Sequence, residues 1–102
     1  MSAKGALMLS DKDNVATAIE DLAMDTDVPV RLGREVRHVR AVEEIPFGFK
    51  MAITEIIKGR AAVKYGEEIG IATSDIRKGE KVHNHNLAGT RGRGDLEKEG
   101  GA

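Results

Sequence analysis

The 102-residue chain has no cysteine and no tryptophan, and its only aromatic residues are Phe47, Phe49 and Tyr65. Without cysteine it can form neither disulfides nor zinc sites with thiolate ligands. No apolar run approaches the roughly 20 residues that a membrane-spanning helix needs. Sixteen basic and seventeen acidic side chains give a net charge of −1, which provides no field for attracting nucleic acid or an anionic membrane. We therefore expect no partner of either kind.

The beginning of the chain lacks the long apolar segment of a secretory signal peptide. Together with the absence of cysteine, this predicts a cytoplasmic protein. A chain of this length forms one domain at most and buries roughly 60 to 65% of the surface that it exposes when unfolded. Its core is therefore modest, and a partner surface would add to its stability.

Three stretches of the sequence resemble one another: ATAIEDLAMDTDV from Ala16, AITEIIKGRAAV from Ala52 and ATSDIRKGEKV from Ala72. Each runs from a small residue through an acidic residue and Leu or Ile to a polar turn, and then returns to valine. The first and third match most closely, because Asp21, Leu22 and Val28 keep the same offsets as Asp75, Ile76 and Val82, whereas the second has one extra residue before Val63. Their spacing along the chain is irregular, so no solenoid is predicted and the repeat indicates a local structure.

The first of these stretches has two interpretations. Taken alone, it has apolar residues at helical spacing, with Asp11 or Asp13 available as an N-cap, which predicts a helix of about three turns. In the third stretch, Gly79 marks a turn after which EKVHNHNL continues as a strand. If the first shares this geometry, it is strand, tight turn and strand. The repeat favours the second interpretation.

Other segments have clearer strand patterns. VPVRL and EVRHVRAVEEI flank Gly33 and predict a hairpin, and Tyr65-Gly66 predicts a turn between two further strands. Short strands separated by many turns indicate a compact, irregular all-β domain. The C-terminal sequence AGTRGRGDLEKEGGA has no core-forming pattern, and we expect it to be a mobile tail.

The motif KVHNHNL contains two of the three histidines of the chain. On a strand, His83 and His85 would project from the same face and could occupy adjacent positions on one metal ion. Further ligands would have to come from carboxylates, from His38 or from another chain. Two alternatives remain open: both rings are hydrogen-bonded surface groups, or one acts as an acid, a base or a donor to a ligand.

Basic residues provide the remaining candidates for binding. Arg91 and Arg93 in TRGRGD have guanidinium groups that suit carboxylate or phosphate, and the alternative is a solvated tail. Lys50 or Lys64 could meet an anionic substrate, although many lysines of so charged a chain are simply solvated. The sequence contains no nucleophile elbow, P-loop or dinucleotide-binding glycine pattern.

Four motifs, DNVATAIEDL, IPFGFKMAI, VKYGEEIGIATSDIRKGEKVHNHNL and TRGRGD, together resemble the SAF-type domain of altronate and galactarate dehydratases. In that family the domain is N-terminal, and in related two-chain lyases such as sulfolactate sulfo-lyase it forms a separate small subunit. The resemblance divides the chain into an N-terminal extension (1–10), a SAF-like domain (11–95) and a flexible tail (96–102).

The resemblance implies a β-clip fold, in which a long bent β-hairpin folds over itself. It also implies a small subunit of a lyase that is inactive without its large subunit, with homo-oligomerisation left open. The substrates of such families are hexonates, hexarates or related hydroxy acids. These lose water, or sulfite in the sulfo-lyase, by β-elimination. The implied cofactor is iron or another divalent metal, held mainly by the large subunit.

The resemblance also suggests roles for particular residues. His83 and His85 would be catalytic, with metal binding as a further role. The substrate-binding residues would be Asn86, Arg91, Lys50 and Tyr65. One position departs from the family pattern: Phe49 stands where relatives commonly have histidine in Gly-His-Lys. Either the substrate differs, or the position is structural, or part of the chemistry is lost. The alternative function is a non-catalytic module that binds a small molecule or a protein.

Overall fold

Residues 5–89 of the chain, which the computed structural model describes, form nine short strands and no helix. The strands are β1 (Ala6–Leu7), β2 (Val15–Ala18), β3 (Asp27–Leu32), β4 (Glu35–Arg40), β5 (Lys50–Ala52), β6 (Ala61–Lys64), β7 (Glu67–Ala72), β8 (Lys81–Val82) and β9 (Leu87–Gly89). The predicted all-β domain is confirmed, and the helical interpretation of the first repeat is wrong. Within this range no helix is long and apolar enough to cross a membrane.

The strands form two sheets. A six-stranded sheet has the order β4-β3-β1-β2-β5-β8, and a three-stranded sheet has the order β6-β7-β9. Strands β1 and β3 are parallel, and the other paired strands are antiparallel. Both predicted hairpins are present, as β3-β4 and β6-β7.

Strand β1 lies inside the six-stranded sheet, between β2 and β3. Ala6 pairs with Ala18 on one side and with Val30 on the other, and both Ala6 and Met8 are buried. Strand β1 therefore belongs to the sheet although it precedes the domain boundary predicted at residue 11. The small and flexible side chains of this segment fill the space between two strands, a long-range pairing that no local pattern reveals.

The repeated stretch has the same structure wherever it occurs: a strand, a bend, a single bridge, a tight turn and a second strand. It occurs four times, with the equivalent alanines at Ala18, Ala41, Ala52 and Ala72. Sequence comparison misses the second of these copies because proline and phenylalanine occupy its turn. In the copy that begins at Ala52, the residue returning to the core is buried Ala62, so the extra residue predicted before Val63 is not an insertion in the repeat.

The four copies associate as two pairs. Leu22 and Ile45 exchange two backbone hydrogen bonds, with N–O distances of 2.8 and 2.9 Å. Ile56 and Ile76 exchange two of 2.8 Å. All four side chains are buried. Each copy therefore satisfies backbone groups of its partner while adding one aliphatic side chain to the core.

In one copy of each pair, the acidic residue of the repeat caps the turn of the partner copy. The Oδ1 atom of Asp21 accepts the Phe47 N–H, and the Oδ1 atom of Asp75 accepts the Lys58 N–H, both at 2.8 Å. A carboxylate suits this position because it satisfies a turn N–H that has no backbone partner. The acid-aliphatic pair of the repeat is thus a structural feature.

The core has two parts that share strands β2 and β5. Ala16 and Met51 face one cluster of buried side chains, whereas Val15 and Ala52 face the other. Because successive residues of a strand point to opposite faces, two adjacent strands can form the wall between two small cores. This arrangement compensates for the scarcity of aromatic side chains.

Asn14 joins the two sheets. Its Oδ1 atom accepts the Val63 N–H at 2.7 Å, and its Nδ2 atom donates to the Ala61 carbonyl at 3.0 Å. Its backbone N–H donates to the Val63 carbonyl at 3.1 Å. A residue just before β2 thereby holds β6, a strand of the other sheet.

The neighbouring residue, Asp13, is buried and accepts backbone hydrogen bonds on both carboxylate oxygens. The Gly66 N–H donates at 2.8 Å, the Leu9 N–H at 3.1 Å and the Ser10 N–H at 3.2 Å. Burial alone would raise the pKa of Asp13, but these bonds and one from Tyr65 favour the charged form and lower the pKa below its ordinary value. Asp13 therefore anchors the β6-β7 turn to the beginning of the chain.

Candidate functional site

The segment between β8 and β9 is a turn formed by His83, Asn84, His85 and Asn86, and the predicted continuous strand EKVHNHNL is wrong. The side-chain Oδ1 atom of Asn86 accepts the His83 N–H at 2.9 Å, and its Nδ2 atom donates to the Lys81 carbonyl at 2.8 Å. Such side-chain bonds to the backbone favour a turn over a strand.

Asn86 therefore has a structural role in this turn. Its side chain is 1% exposed, and both of its polar atoms bond to the backbone. Its backbone N–H donates to the His83 carbonyl at 3.1 Å. In the free chain its side chain is therefore buried and bonded to the backbone, and the substrate-binding role that the resemblance suggests stays a prediction.

The turn also connects the two sheets. Val82 in β8 pairs with Lys50 in the six-stranded sheet, and Leu87 in β9 pairs with Ala72 in the three-stranded sheet. The exposed side chains of His83 and His85 consequently lie where the chain passes from one sheet to the other. A site at this junction receives side chains from both sheets.

His83 packs against Phe49. The two rings meet edge-on, with centroids 4.8 Å apart and an interplanar angle of 65°. The ammonium group of Lys81 lies over the Phe49 ring, 5.2 Å from its centroid. The position that departs from the family pattern is thus in direct contact with one of the two predicted catalytic histidines.

A cavity of about 310 Å³ lies beside His83. It is lined by the charged and polar side chains of Lys50, Lys64, His83 and Asn84, and by apolar groups that include Ile69 and Leu87. Burial, and then the positive charge of Lys64, lower the pKa of Lys50. Lys50 and His83, both residues of the predicted site, thus line one cavity. Lys64 lines the same cavity.

His85 faces a different group of side chains. Glu43, Glu80 and His85 each offer one possible ligand atom, and these three atoms lie within 4.8 Å of one another. The Glu43 carboxylate accepts the Lys81 N–H at 2.9 Å, and the Glu80 carboxylate accepts the Arg77 N–H at 2.8 Å. These bonds hold the two carboxylates beside His85. His83 does not belong to this cluster, so the two histidines do not share one set of ligands.

The remaining predicted residues have different positions. Tyr65 lies in the β6-β7 turn with a φ of 57°, is exposed, and carries the Lys64 ammonium 4.7 Å from its ring centroid. It therefore borders the site through Lys64 rather than lining the cavity. His38 is exposed and lies 3.0 Å from Asp27 on the β3-β4 hairpin. Arg91 and the predicted mobile tail lie outside residues 5–89.

A larger cavity, of about 560 Å³, contains none of the predicted site residues. Its charged lining groups are Glu55, Arg60 and Glu68, so it presents both signs of charge. Neither its position nor its lining points to a particular chemistry, and the smaller cavity beside His83 is the better candidate.

Sequence reasoning missed two residues of the site, Glu43 and Glu80. Glu43 and Glu80 lie at different positions in two copies of the repeat, and neither position is consistently acidic among the four copies, so the repeat gives no signal for them. Lys64 had no signal that separated it from a solvated lysine. Its place beside Lys50 depends on how the two sheets are joined through Asn14.

Comparison with known proteins identifies the family of this domain. Residues 4–90 match the family described as the altronate/galactarate dehydratase SAF domain. The chain is 43% identical over 74 residues to altronate dehydratase of Escherichia coli, covering 72% of this chain and 14% of the relative. It is 32% identical over 83 residues to altronate dehydratase of Bacillus subtilis, covering 81% of this chain and 16% of the relative.

A further relative is one subunit of an enzyme. The chain is 40% identical over 45 residues to (2R)-sulfolactate sulfo-lyase subunit alpha of Chromohalobacter salexigens, covering 44% of this chain and 48% of the relative. The match thus spans about one seventh of each altronate dehydratase and about half of the sulfo-lyase subunit. With 4–90 matched in one continuous segment, the chain belongs to the SAF-domain family of altronate and galactarate dehydratases.

Proposed function

We propose that this chain is the SAF-domain component of a lyase that acts on a sugar acid or a related hydroxy acid. The observation that carries the proposal is the match of residues 4–90 to a domain of such enzymes. The junction of the two sheets supports it, because a histidine and two lysines line one cavity there. The rest of the active site would belong to a large subunit, in keeping with the small fraction of each dehydratase that this chain matches.

The proposed reaction is a β-elimination. A proton leaves the carbon next to the carboxylate, and hydroxide leaves the following carbon as water once protonated. The enol that remains rearranges to a 2-keto acid. With a sulfonated substrate the leaving group is sulfite. The reaction needs a base, an acid for the leaving group and positive charge near the carboxylate.

His83 and His85 are the proposed catalytic residues, and their surroundings suggest different roles. His83 lines the lysine-containing cavity, where its imidazole can exchange a proton with a bound acid. His85 lies with two carboxylates at the other side of the turn. A shared cleft with the large subunit would cover both side chains, which are exposed in the free chain.

A divalent metal such as iron is the proposed cofactor, and His85, Glu43 and Glu80 fit it as a donor set. One imidazole and two carboxylates are ligands that such ions accept, and their ligand atoms already lie within 4.8 Å of one another. When bound, the ion would supply Lewis-acid chemistry at a hydroxyl group. The three protein ligands leave positions for the large subunit or the substrate.

The test is co-expression of the chain with a large lyase subunit, followed by size-exclusion chromatography and a lyase assay over a panel of hydroxy acids. We expect a cytoplasmic complex that is active when neither component is active alone. His83→Ala and His85→Ala should each lower turnover by about 10²-fold or more while the complex still forms. Full turnover in both variants would contradict the assignment of the histidines.

A non-catalytic binding module is the alternative function. It is favoured by the lining of the cavity beside His83, which within residues 5–89 contains no carboxylate that could act as a general base. Under this alternative the chain would bind a small acid or a protein without chemical change. An active complex with a large subunit would exclude it.

A further inference from the structure

The cavity beside His83 brings together two lysine side chains from different sheets. Lys50 begins β5 of the six-stranded sheet, and Lys64 ends β6 of the three-stranded sheet. Both are half-buried, and both line the same cavity of about 310 Å³. Two cations therefore share one small, partly dehydrated space.

Neither ammonium group has a carboxylate partner within 4 Å among residues 5–89. Glu67 lies opposite Lys64 in the hairpin, but it is exposed and forms no ion pair with it. Lys64 instead extends over the ring of Tyr65. Burial, and then the like charge of Lys64, lower the pKa of Lys50, and an anion between the two ammonium groups would offset the cost of holding both charges there.

The other lining groups suit an organic acid better than a bare inorganic ion. Ile69 and Leu87 present apolar surface that can contact a carbon chain. The imidazole of His83 and the carboxamide of Asn84 can hydrogen-bond to hydroxyl groups. The volume is at the lower end of the range for small-molecule sites, roughly 300 to 1,000 Å³.

We infer that this cavity binds the carboxylate group of a small hydroxy acid, with Lys50 and Lys64 as its charged partners. The inference rests on the proposed function in so far as the bound acid is the substrate of the lyase. Binding itself needs only this chain. Lys50 and Lys64, which the sequence offers as alternative partners of an anionic substrate, thereby act together on one carboxylate group of the ligand.

The experiment is a titration of the full-length chain, labelled with ¹⁵N, with galactarate and with galactitol. Galactitol is the matched neutral compound, because it has the same carbon chain and the same four secondary hydroxyl groups, with a hydroxymethyl group in place of each carboxylate. Galactarate should shift the amide signals of residues around Lys50, Lys64 and His83, and galactitol should not. Lys50→Met and Lys64→Met should each weaken galactarate binding by about tenfold or more, the usual effect of losing a charged hydrogen bond.

Two controls accompany these variants. Lys78→Met removes an exposed lysine from the turn of a repeat, outside the cavity, and should leave galactarate affinity unchanged. Lys50→Arg and Lys64→Arg keep the charge and should retain more affinity than the methionine variants. The amide spectrum itself reports whether each variant is folded.

The inference is overturned if folded wild-type chain shows no shift at millimolar galactarate, or if galactitol shifts the same signals equally. Unchanged affinity in folded Lys50→Met and Lys64→Met also overturns it. These results are separable from failure of the proposed function. Carboxylate binding without lyase activity in any complex would retain the cavity and favour the binding module. An active complex whose KM is unaffected by both methionine variants would retain the lyase and reject the cavity.

Discussion

The imidazole of His83 rests edge-on against the phenyl ring of Phe49, with the ring centroids 4.8 Å apart. At this position the family resemblance implies a histidine. The contact therefore places the one clear departure from the family pattern beside the candidate site, and it shows what the substitution changes: a nitrogen ligand or hydrogen-bonding group is replaced by an apolar ring that packs against His83.

Phe49→His should create a pair of imidazoles that can bind one transition-metal ion. The distance between the ring centroids is compatible with two rings that ligate the same ion, and imidazole is a favoured ligand of zinc and nickel. We expect zinc to raise the melting temperature of Phe49→His by several degrees more than that of wild type. The double variant Phe49→His/His83→Ala is the control for binding at His85. An equal response of the single and double variants would contradict the prediction.

Asn86→Ala should destabilise the chain by about 1 to 3 kcal/mol, because it leaves the His83 N–H and the Lys81 carbonyl without their partners in a buried setting. His85→Ala, in the same turn but exposed, should change stability by no more than about 0.5 kcal/mol. Urea denaturation of the two variants measures the difference. Wild-type stability in Asn86→Ala would return this residue to the set of candidate ligand-binding groups.

Asp13→Asn should destabilise the chain by roughly 1 to 3 kcal/mol at neutral pH, because the amide cannot accept backbone bonds on both terminal atoms. Because the pKa of Asp13 is lowered in the folded chain, the ionised carboxylate contributes fully to the free energy of unfolding above pH 3.8, the ordinary pKa. This contribution is lost as pH falls through the lower pKa of the folded state. Urea denaturation between pH 2 and 7 should therefore show a smaller loss of stability on acidification in the variant. Parallel curves would indicate that other carboxylates dominate.

Lys50→Met should raise the stability of the isolated chain at neutral pH, because it removes a charge from a partly dehydrated position beside Lys64. The folded-state pKa of Lys50 is below 10.5, so the unfolded chain binds more protons between the two values, and wild-type stability rises with pH in that window. The variant should lack this rise. Thermal melts from pH 7 to 11 test both effects, and a less stable variant at every pH would contradict them.

Gly79→Ala should cost more stability than Gly59→Ala, although the two glycines have φ values of 88° and 90° at equivalent places of the repeat. A Cβ atom at Gly59 meets nothing within 4 Å, so its cost is the strain of the backbone conformation, about 1 to 2 kcal/mol. A Cβ atom at Gly79 would collide with the Arg40 carbonyl, which adds an overpacking cost of about 1 to 3 kcal/mol. Equal losses in urea denaturation would show that the backbone relaxes at Gly79.

The sequence by itself determined the local structures of this protein. The acidic residue, the aliphatic residue and the turn lie within one short repeat, so their order specifies strand, turn and strand wherever they recur. The hairpins around Gly33 and Tyr65-Gly66 are specified in the same way. Local hydrogen bonds and φ preferences involve residues a few positions apart, and a single sequence contains that information.

Only the tertiary structure decided which of these pieces meet. Three contacts join residues that are distant in the chain: Leu22 pairs with Ile45, β1 lies between β2 and β3, and Asn14 holds β6. The turn of His83 and His85 is by contrast a local structure, because Asn86 bonds to the backbone of His83 and Lys81, and it leads the chain from one sheet to the other. Lys50 and Lys64 meet only because the two sheets pack together. Burial of apolar side chains and backbone hydrogen bonds stabilise this packing, and it brings both ammonium groups to one cavity.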